Sequence, residues 1–373
     1  SAGRAPRLSP SAPAWSVRRV RARPGTSTSG WGRRAVSEER ILLAHGGGGR
    51  LTAELIRAEI LPRFGEGPLA GLPDAATLPE PVGTGRWLLT TDGYVVQPRE
   101  FPGGNIGSLA VYGTVNDLAV CGGRARWLAL ALIIEEGLDR RELARVLDSV
   151  RTAADRVGVV VATGDTKVVP RGQCDGLYVV TTGLGTAWPE FDLRPDRIEP
   201  GDQIVVSGTI GDHGIAVLAA RERLAQSLEL VSDSAPVLEL VEAIRPWAAG
   251  VKWMRDPTRG GVAATLNELV SGRPWGVLLH EHHLPCSPAA RALAELLGLD
   301  LLHVACEGRI VAVCSPSVCD RVVTTWRQFL SGAHAAVVGT VTTEFAGMVA
   351  MDTAVGGRRL VDMPLGELLP RIC

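Results

Sequence analysis

The sequence predicts an α/β (α+β) protein built as two domains. From Ile41 onward, apolar runs of strand length alternate with stretches whose apolar residues recur at helical spacing. A polar connector with two prolines, Arg194–Asp202, separates two such series. The length of 373 residues also exceeds what one hydrophobic core usually fills. The expected boundaries are 1–40 for a disordered extension, 41–192 for the first domain, 193–355 for the second and 356–373 for a flexible tail.

The opening stretch SVRRVRARPGTSTSGWGRR has no acid and no apolar periodicity, which predicts disorder. An organelle transit peptide is the competing reading; the absence of an amphipathic helix argues against it. HGGGGR (His45 to Arg50) precedes a helical stretch that Pro62 ends. RWLLTTD reads as a strand finishing at Asp92. NIGSLAVYGTVNDLAVCG carries small and apolar residues at helical spacing, and RWLALALII is a buried strand. Asp139 then starts an amphipathic helix. Glu142 follows three residues after it, Leu143, Val146, Leu147, Val150 and Val157 share one face, and Gly158 stops it. VVVATGD, a strand ending at Asp165, and GLYVVTTGLG complete the first domain. In the second domain QIVVSGTIGDHG is a strand and turn, and IAVLAARERL a helix. RDPTRGG leads into the helix VAATLNELV, and RIVAVC and AAVVGTV are later strands. After Gly356 little periodicity remains.

Composition narrows the function classes. A net charge of -1 gives no electrostatic reason to bind nucleic acid or an anionic membrane. Aromatics at 5% make base-stacking platforms a poor expectation. No apolar run reaches the length that spans a bilayer. The seven cysteines are odd in number and show no CxxC spacing, against a disulfide framework or zinc knuckle. With no secretory signal, the cytoplasm is the expected compartment.

The residues that could carry chemistry share a setting. Asp92 and Asp165 sit at strand ends, Asp256 lies ahead of a helix, and Asp117 follows Asn116 within one. Ligands collect at such edges of open α/β sheets, and hard oxygen donors suit Mg²⁺ shared with phosphate. Each acid taken singly also reads as an ordinary turn or cap residue. Glycines beside the acids let backbone N–H groups approach phosphates. HGGGGR and FPGGNIG have the same character, although neither is a P-loop. Lys167 could neutralise phosphate or pass a proton, and Glu307 could be a general base. HEHH (His280 to His283) is a poor metal site, since alternate strand residues face opposite ways. His213 is expected either to cap a helix start or to touch a nucleotide. Cys306, Cys314 and Cys319 read as small core residues. Cys373, on the last residue, has no packing partner implied by sequence, and its position allows a swinging nucleophilic carrier.

Taken in order, AHGGGGR, TTDGYVVQPREFPGGNIGSLAVYGTVNDLAV, EEGL, ATGDTKVV, VSGTIGDHG, RDPTRGGV, CEGR and the final PRIC closely resemble the HypE family. These are the carbamoyl dehydratases of nickel–iron hydrogenase maturation. The match covers nearly everything after the extension, and PRIC and the FPGGNIG…ND block are its specific parts. The wider superfamily includes aminoimidazole ribonucleotide synthetase, selenophosphate synthetase and thiamine-monophosphate kinase, which lack the cysteine tail.

The resemblance implies an aminoimidazole ribonucleotide synthetase-like fold, dimers formed through the N-terminal domains, and ATP with Mg²⁺ as cofactors. It implies that a carbamoyltransferase, HypF, loads a carboxamide on Cys373. ATP then activates the amide oxygen, and loss of phosphate leaves a thiocyanate. The cyano group passes to iron on a HypC–HypD scaffold. Asp92, Asp117, Asp165 and Asp256 would hold the metal. His45, Gly47, Gly48, Gly103, Gly104, Asn105, Asn116, Gly164, Thr166 and Arg259 would contact the nucleotide. Glu307 and Lys167 are the candidate bases. One departure stands out: the family's Asn before the glutamate is Cys306 here, which puts a local hydrogen bond in doubt. A free-substrate synthetase or kinase, and a non-catalytic scaffold, are the competing readings.

Overall fold

The computed structural model describes residues 40–42, 54–64, 86–224, 230–363, 369 and 371–373. The expected glycine loop with His45, Gly47 and Gly48 and nearly all of the extension lie outside the described residues. A π-helical turn (Ile56–Ile60) runs into α1 (Leu61–Phe64). The first half then forms a four-stranded sheet in the order β1-β6-β4-β5. Its strands are β1 (Trp87–Tyr94), β4 (Gly123–Glu135), β5 (Val160–Val169) and β6 (Leu177–Ala187). A short ladder of β2 (Glu100–Phe101) and β3 (Gly104–Asn105) leads into α2 (Ile106–Val120), and α3 (Arg140–Val157) crosses from β4 to its parallel neighbour β5.

The local signals explain both helices. The Asp139 carboxylate caps α3 by accepting from the Arg141 N–H at 2.8 Å, and Gly158 ends the helix at φ 68°. Asn105 caps α2, accepting from the N–H groups of Gly107 and Ser108. Thirteen of the fifteen residues of α2 are buried. A helix apolar on every side belongs in an interior. α2 indeed packs on β1, β4 and β6, on α3, and on elements of the second half.

The second half carries a seven-stranded sheet in the order β13-β12-β9-β11-β7-β10-β8. Its elements, in chain order, are β7 (Gln203–Val206), α4 (Asp212–Arg221), α5 (Leu238–Ala243), β8 (Val251–Arg255), α6 (Gly261–Val270) and β9 (Gly276–His280). Then come α7 (Pro288–Leu297), β10 (Val311–Cys314), α8 (Pro316–Trp326), β11 (Ala336–Thr342), β12 (Val349–Asp352) and β13 (Arg358–Leu360). One apolar core runs through the junction of the halves, joining Ile106 and Leu147 to Val237, Ile310 and Trp326. Among the described residues no helix is long and apolar enough to cross a membrane.

Several expectations need correction. β1 and β5 do not end at Asp92 and Asp165 but continue to Tyr94 and Val169. Ladder bonding carries a strand through a polar residue, and Asp165 lies opposite Ala131. Both are edge strands, where outward charges are well tolerated. Residues 358–360, expected in the tail, pair with β12 as β13. The HEHH run is a strand end followed by one 3₁₀ turn, Glu281–His283.

A strap of residues 231–237 threads between the halves. The Ser232 N–H donates to the Pro102 carbonyl at 2.9 Å, and a methyl on Gly103 would come within 2.8 Å of Val231. On the other side a methyl on Gly308 would run into the Asp233 carbonyl. Backbone cannot yield as a side-chain tip can. Gly308→Ala is therefore expected to cost about 3 kcal/mol. A lowered urea midpoint with an unchanged slope checks this; an unchanged midpoint contradicts the close approach.

Candidate active site

β1 alternates its side chains, so Thr90, Asp92 and Tyr94 share the sheet face covered by α2. There the Thr90 hydroxyl donates to Asp117 Oδ2 at 2.7 Å, and the Tyr94 phenol donates to Asp92 Oδ2 at 3.2 Å. The second half brings two more acids to this place. Asp256 follows β8 and Glu307 precedes β10, and both are buried. Asn116 holds the halves in register. Its Nδ2 donates to the carbonyls of Ala235 (3.0 Å) and Glu307 (3.2 Å), and its Oδ1 accepts from the Val237 N–H (2.8 Å).

Crowded acids in a dry place resist ionisation. Burial first, then Asp256, Asp233, Asp92 and Asp117, push the Glu307 carboxyl well above the usual range. Burial first, then Asp117, raises Asp256. Asp117 is raised by burial first and then by Asp92, against the Thr90 hydrogen bond. Glu307 Oε1 is buried with no hydrogen-bond partner. Its backbone is held: the Glu307 N–H donates to Asp233 Oδ1 at 3.1 Å, and the other Asp233 oxygen lies 3.4 Å from Arg309 Nε.

Three of the four expected metal ligands, Asp92, Asp117 and Asp256, thus meet Glu307. Asp165 and Lys167 do not join them within one chain. They pair with each other at 3.1 Å on the opposite face of the sheet, which no helix among the described residues covers, level with Ala131 and Ile133. Gly164 and Thr166 lie beside Leu130 and Leu132 in the same ladder. Gly103, Gly104 and Asn105 serve the strap, the short ladder and the α2 cap. Asn116 serves the junction described above. Arg259 is exposed beside Asp256 and makes no ion pair among the described residues.

The chemistry of the donors fits Mg²⁺, because hard carboxylate oxygens converge and their mutual repulsion favours a cation. Among the described residues, no group of three His, Cys, Asp or Glu would hold a metal by itself.

The chain's end reaches this neighbourhood. Val95 and Gln97, just past β1, donate their N–H groups to the carbonyls of Cys373 and Arg371, both at 3.1 Å, in antiparallel pairing. Ile372 is buried and Cys373 packs against the core. The Arg371 guanidinium pairs with Asp175. His213 neither caps a helix nor is free for a nucleotide: Gly211 is the cap of α4, and the imidazole meets Ser232 and the Ile372 carbonyl. The Cys306 sulfur accepts from the Gly211 N–H at 3.2 Å.

Sequence reasoning missed Tyr94, Ser232, Asp233 and Arg221. SDSAP reads as a surface turn, and nothing local marks it as a buried strap.

Two family models match, the AIR synthase related protein N-terminal domain over residues 73–187 and its C-terminal domain over 199–350. The carbamoyl dehydratase HypE of Rhizobium leguminosarum bv. viciae is 45% identical, covering 91% of this chain and 96% of that protein. The chain belongs to the HypE family of carbamoyl dehydratases. A crystal structure of HypE in complex with ATP superposes with a TM-score of 0.84 at 41% identity, covering 89% of this chain and 99% of that one. A HypE chain from a HypE–HypF complex gives 0.72 at 35% identity, covering 85% and 100%. HypE membership makes this chain an ATP-dependent dehydratase of hydrogenase maturation, with the expected two-domain fold.

Proposed function

We propose that the chain uses ATP to dehydrate a carboxamide carried on Cys373 to a thiocyanate, which supplies the cyanide ligands of the nickel–iron hydrogenase iron. The observation that carries this reading is the seating of residues 371–373 along Val95–Gln97, one residue beyond the Tyr94 that bonds Asp92.

The step needs a leaving group, because hydroxide leaves an amide carbon poorly and phosphate leaves well. Asp92, Asp117 and Asp256 would hold Mg²⁺, which when bound spreads the charge of the phosphate oxygens. Arg259, exposed at the entrance to α6, would bind the nucleotide's phosphates. Glu307, buried with an unpartnered oxygen, is the better base in this chain. A carboxylate with a raised pKa takes an amide proton more readily than an ordinary one. Burial around the site limits hydrolysis of the activated amide.

HypF is the proposed donor of the carboxamide, since a HypE relative forms a HypE–HypF complex. A HypC–HypD scaffold is the proposed acceptor, and the cytoplasm the proposed compartment. The uncovered sheet face is the proposed homodimer surface. Trp87, Leu89, Trp127 and Val160 lie on it, and Leu89 is 71% exposed. A dimer through this face would carry Asp165 and Lys167 towards a second chain. Leu89→Arg is expected to convert a dimer to a monomer in sedimentation velocity, and an undisturbed dimer would reject this face.

The deciding experiment incubates the chain with the carbamoyltransferase, carbamoyl phosphate and Mg²⁺-ATP and weighs the peptide ending at Cys373. A carboxamide that loses one water only with ATP supports the proposal. An unmodified peptide, with the transferase active on a control acceptor, rejects it in favour of a free-substrate ATP enzyme.

A further inference from the structure

We infer that His213 is a positioning residue that seats the Cys373 segment beside the acid cluster by holding its main chain. This rests on the reading of Cys373 as the carrier.

The imidazole is fully buried where three parts of the molecule meet. It stands edge-on to Phe101 of β2 at 5.4 Å, against Ser232 of the strap, and against the Ile372 carbonyl. The hydrogen-bond network settles its tautomer. The Ser234 N–H donates to Ser232 Oγ at 3.0 Å, and the hydroxyl proton is thereby left for His213 Nδ1 at 2.7 Å. The Ile372 carbonyl can only accept, so Nε2 carries the proton and donates to it at 2.9 Å. Burial depresses the imidazole's pKa to about 4, which keeps the ring neutral and this arrangement intact.

α4 has little freedom to move the ring. A methyl on Gly211 would come within 2.8 Å of Leu301, and one on Gly214 would reach both Val304 and, at 3.5 Å, Leu369 of the tail. From the far end of the same helix, Arg221 donates to the carbonyls of Gln97 (2.8 Å) and Arg371 (2.7 Å). α4 therefore grips the segment at its first and last turns. Val95 and Gln97 complete the grip from the first half.

The hydrogen bonds from His213, Arg221, Val95 and Gln97 to this segment all end on main-chain oxygens of residues 371–373. These main-chain hydrogen bonds consequently do not depend on what the Cys373 sulfur carries. They would hold the bare thiol, the carboxamide and the thiocyanate alike, and fix only where the sulfur stands. A carrier that leaves to be loaded and returns to be dehydrated needs such a seat, because the group on the sulfur changes while the contacts that take the segment back do not.

Full-length His213→Ala and His213→Gln chains, with a bulky maleimide as probe, test this. Labelling at Cys373 is followed by mass spectrometry of its peptide, with exposed Cys121 as internal reference. Loss of one buried hydrogen bond predicts labelling on the order of tenfold faster in His213→Ala. Labelling of Cys121 stays constant, and His213→Gln, whose amide can donate in place of Nε2, restores part of the protection. In carboxamide-loaded chains the same alanine variant lowers kcat about as much and leaves the KM for ATP unchanged. If His213→Ala does not fold, Ser232→Ala, which frees the imidazole to turn, is expected to raise labelling by a smaller factor. Unchanged Cys373 labelling in a folded variant overturns the inference. Failure of Cys373 ever to accept a carboxamide would instead reject the carrier reading, and the labelling result would still decide whether His213 holds the segment.

Discussion

Replacing Cys373 with alanine is expected to abolish turnover while leaving the fold in place. The side chain is only half-buried, and the contacts that hold its segment use main-chain oxygens that alanine retains. Stability should change by less than about 1 kcal/mol. The chemical loss is total in kind, because no other atom of the segment can carry the carboxamide. We expect at least a ~10³-fold fall in ATP-dependent dehydration, the scale seen when a covalent nucleophile is removed. Mg²⁺-ATP should bind as before, by isothermal titration. A Cys373→Ala chain that still turned over ATP with a small free substrate would move it to the synthetase and kinase side of the superfamily.

Glu307→Gln is expected to separate chemistry from folding. The glutamine has the same shape and keeps the backbone bond to Asp233, but it cannot take a proton. The first-order loss of water from the carboxamide should slow by about 10²–10⁴-fold with the KM for ATP little changed. Stability should move the other way. Burial first, and then Asp256, Asp233, Asp92 and Asp117, raise the pKa of the Glu307 carboxyl in the folded chain. A carboxyl raised in the folded state stabilises most at low pH, and that contribution is lost as the pH rises above its unfolded value. In Mg²⁺-free buffer the variant should therefore unfold at a higher temperature than the parent above pH 5 or so, on the scale of ordinary carboxylate titration. The gap should close as the pH falls below that range. A variant with full dehydration rate would remove Glu307 from the mechanism and leave Lys167, reached across a dimer, as the base.

Helices α2 and α3 were legible because their signals are local. The Asp139 cap, the apolar face of α3 and the Gly158 stop lie within one stretch of chain, and each appears in the structure. The acids were legible as a set because motif order marked them, not because of their surroundings. Their sorting was not legible. Asp92 and Asp165 looked equivalent in sequence, yet one lies under α2 and the other on the open face of an edge strand. Which side of a sheet a residue faces depends on register and on what covers it, and neither is a local quantity.

The same reason governs the rest. Chain composition and motif order established the class, the two halves, the carboxylates and the cysteine at the chain's end. Tertiary packing alone decided that Asn116, named as a nucleotide contact, anchors the strap and the Glu307 loop, and that His213 turns to the Ile372 carbonyl. These contacts span between 119 and 191 residues of chain. Buried polar groups must find partners wherever the fold brings donors and acceptors together, and that meeting is written in three dimensions, not along the chain.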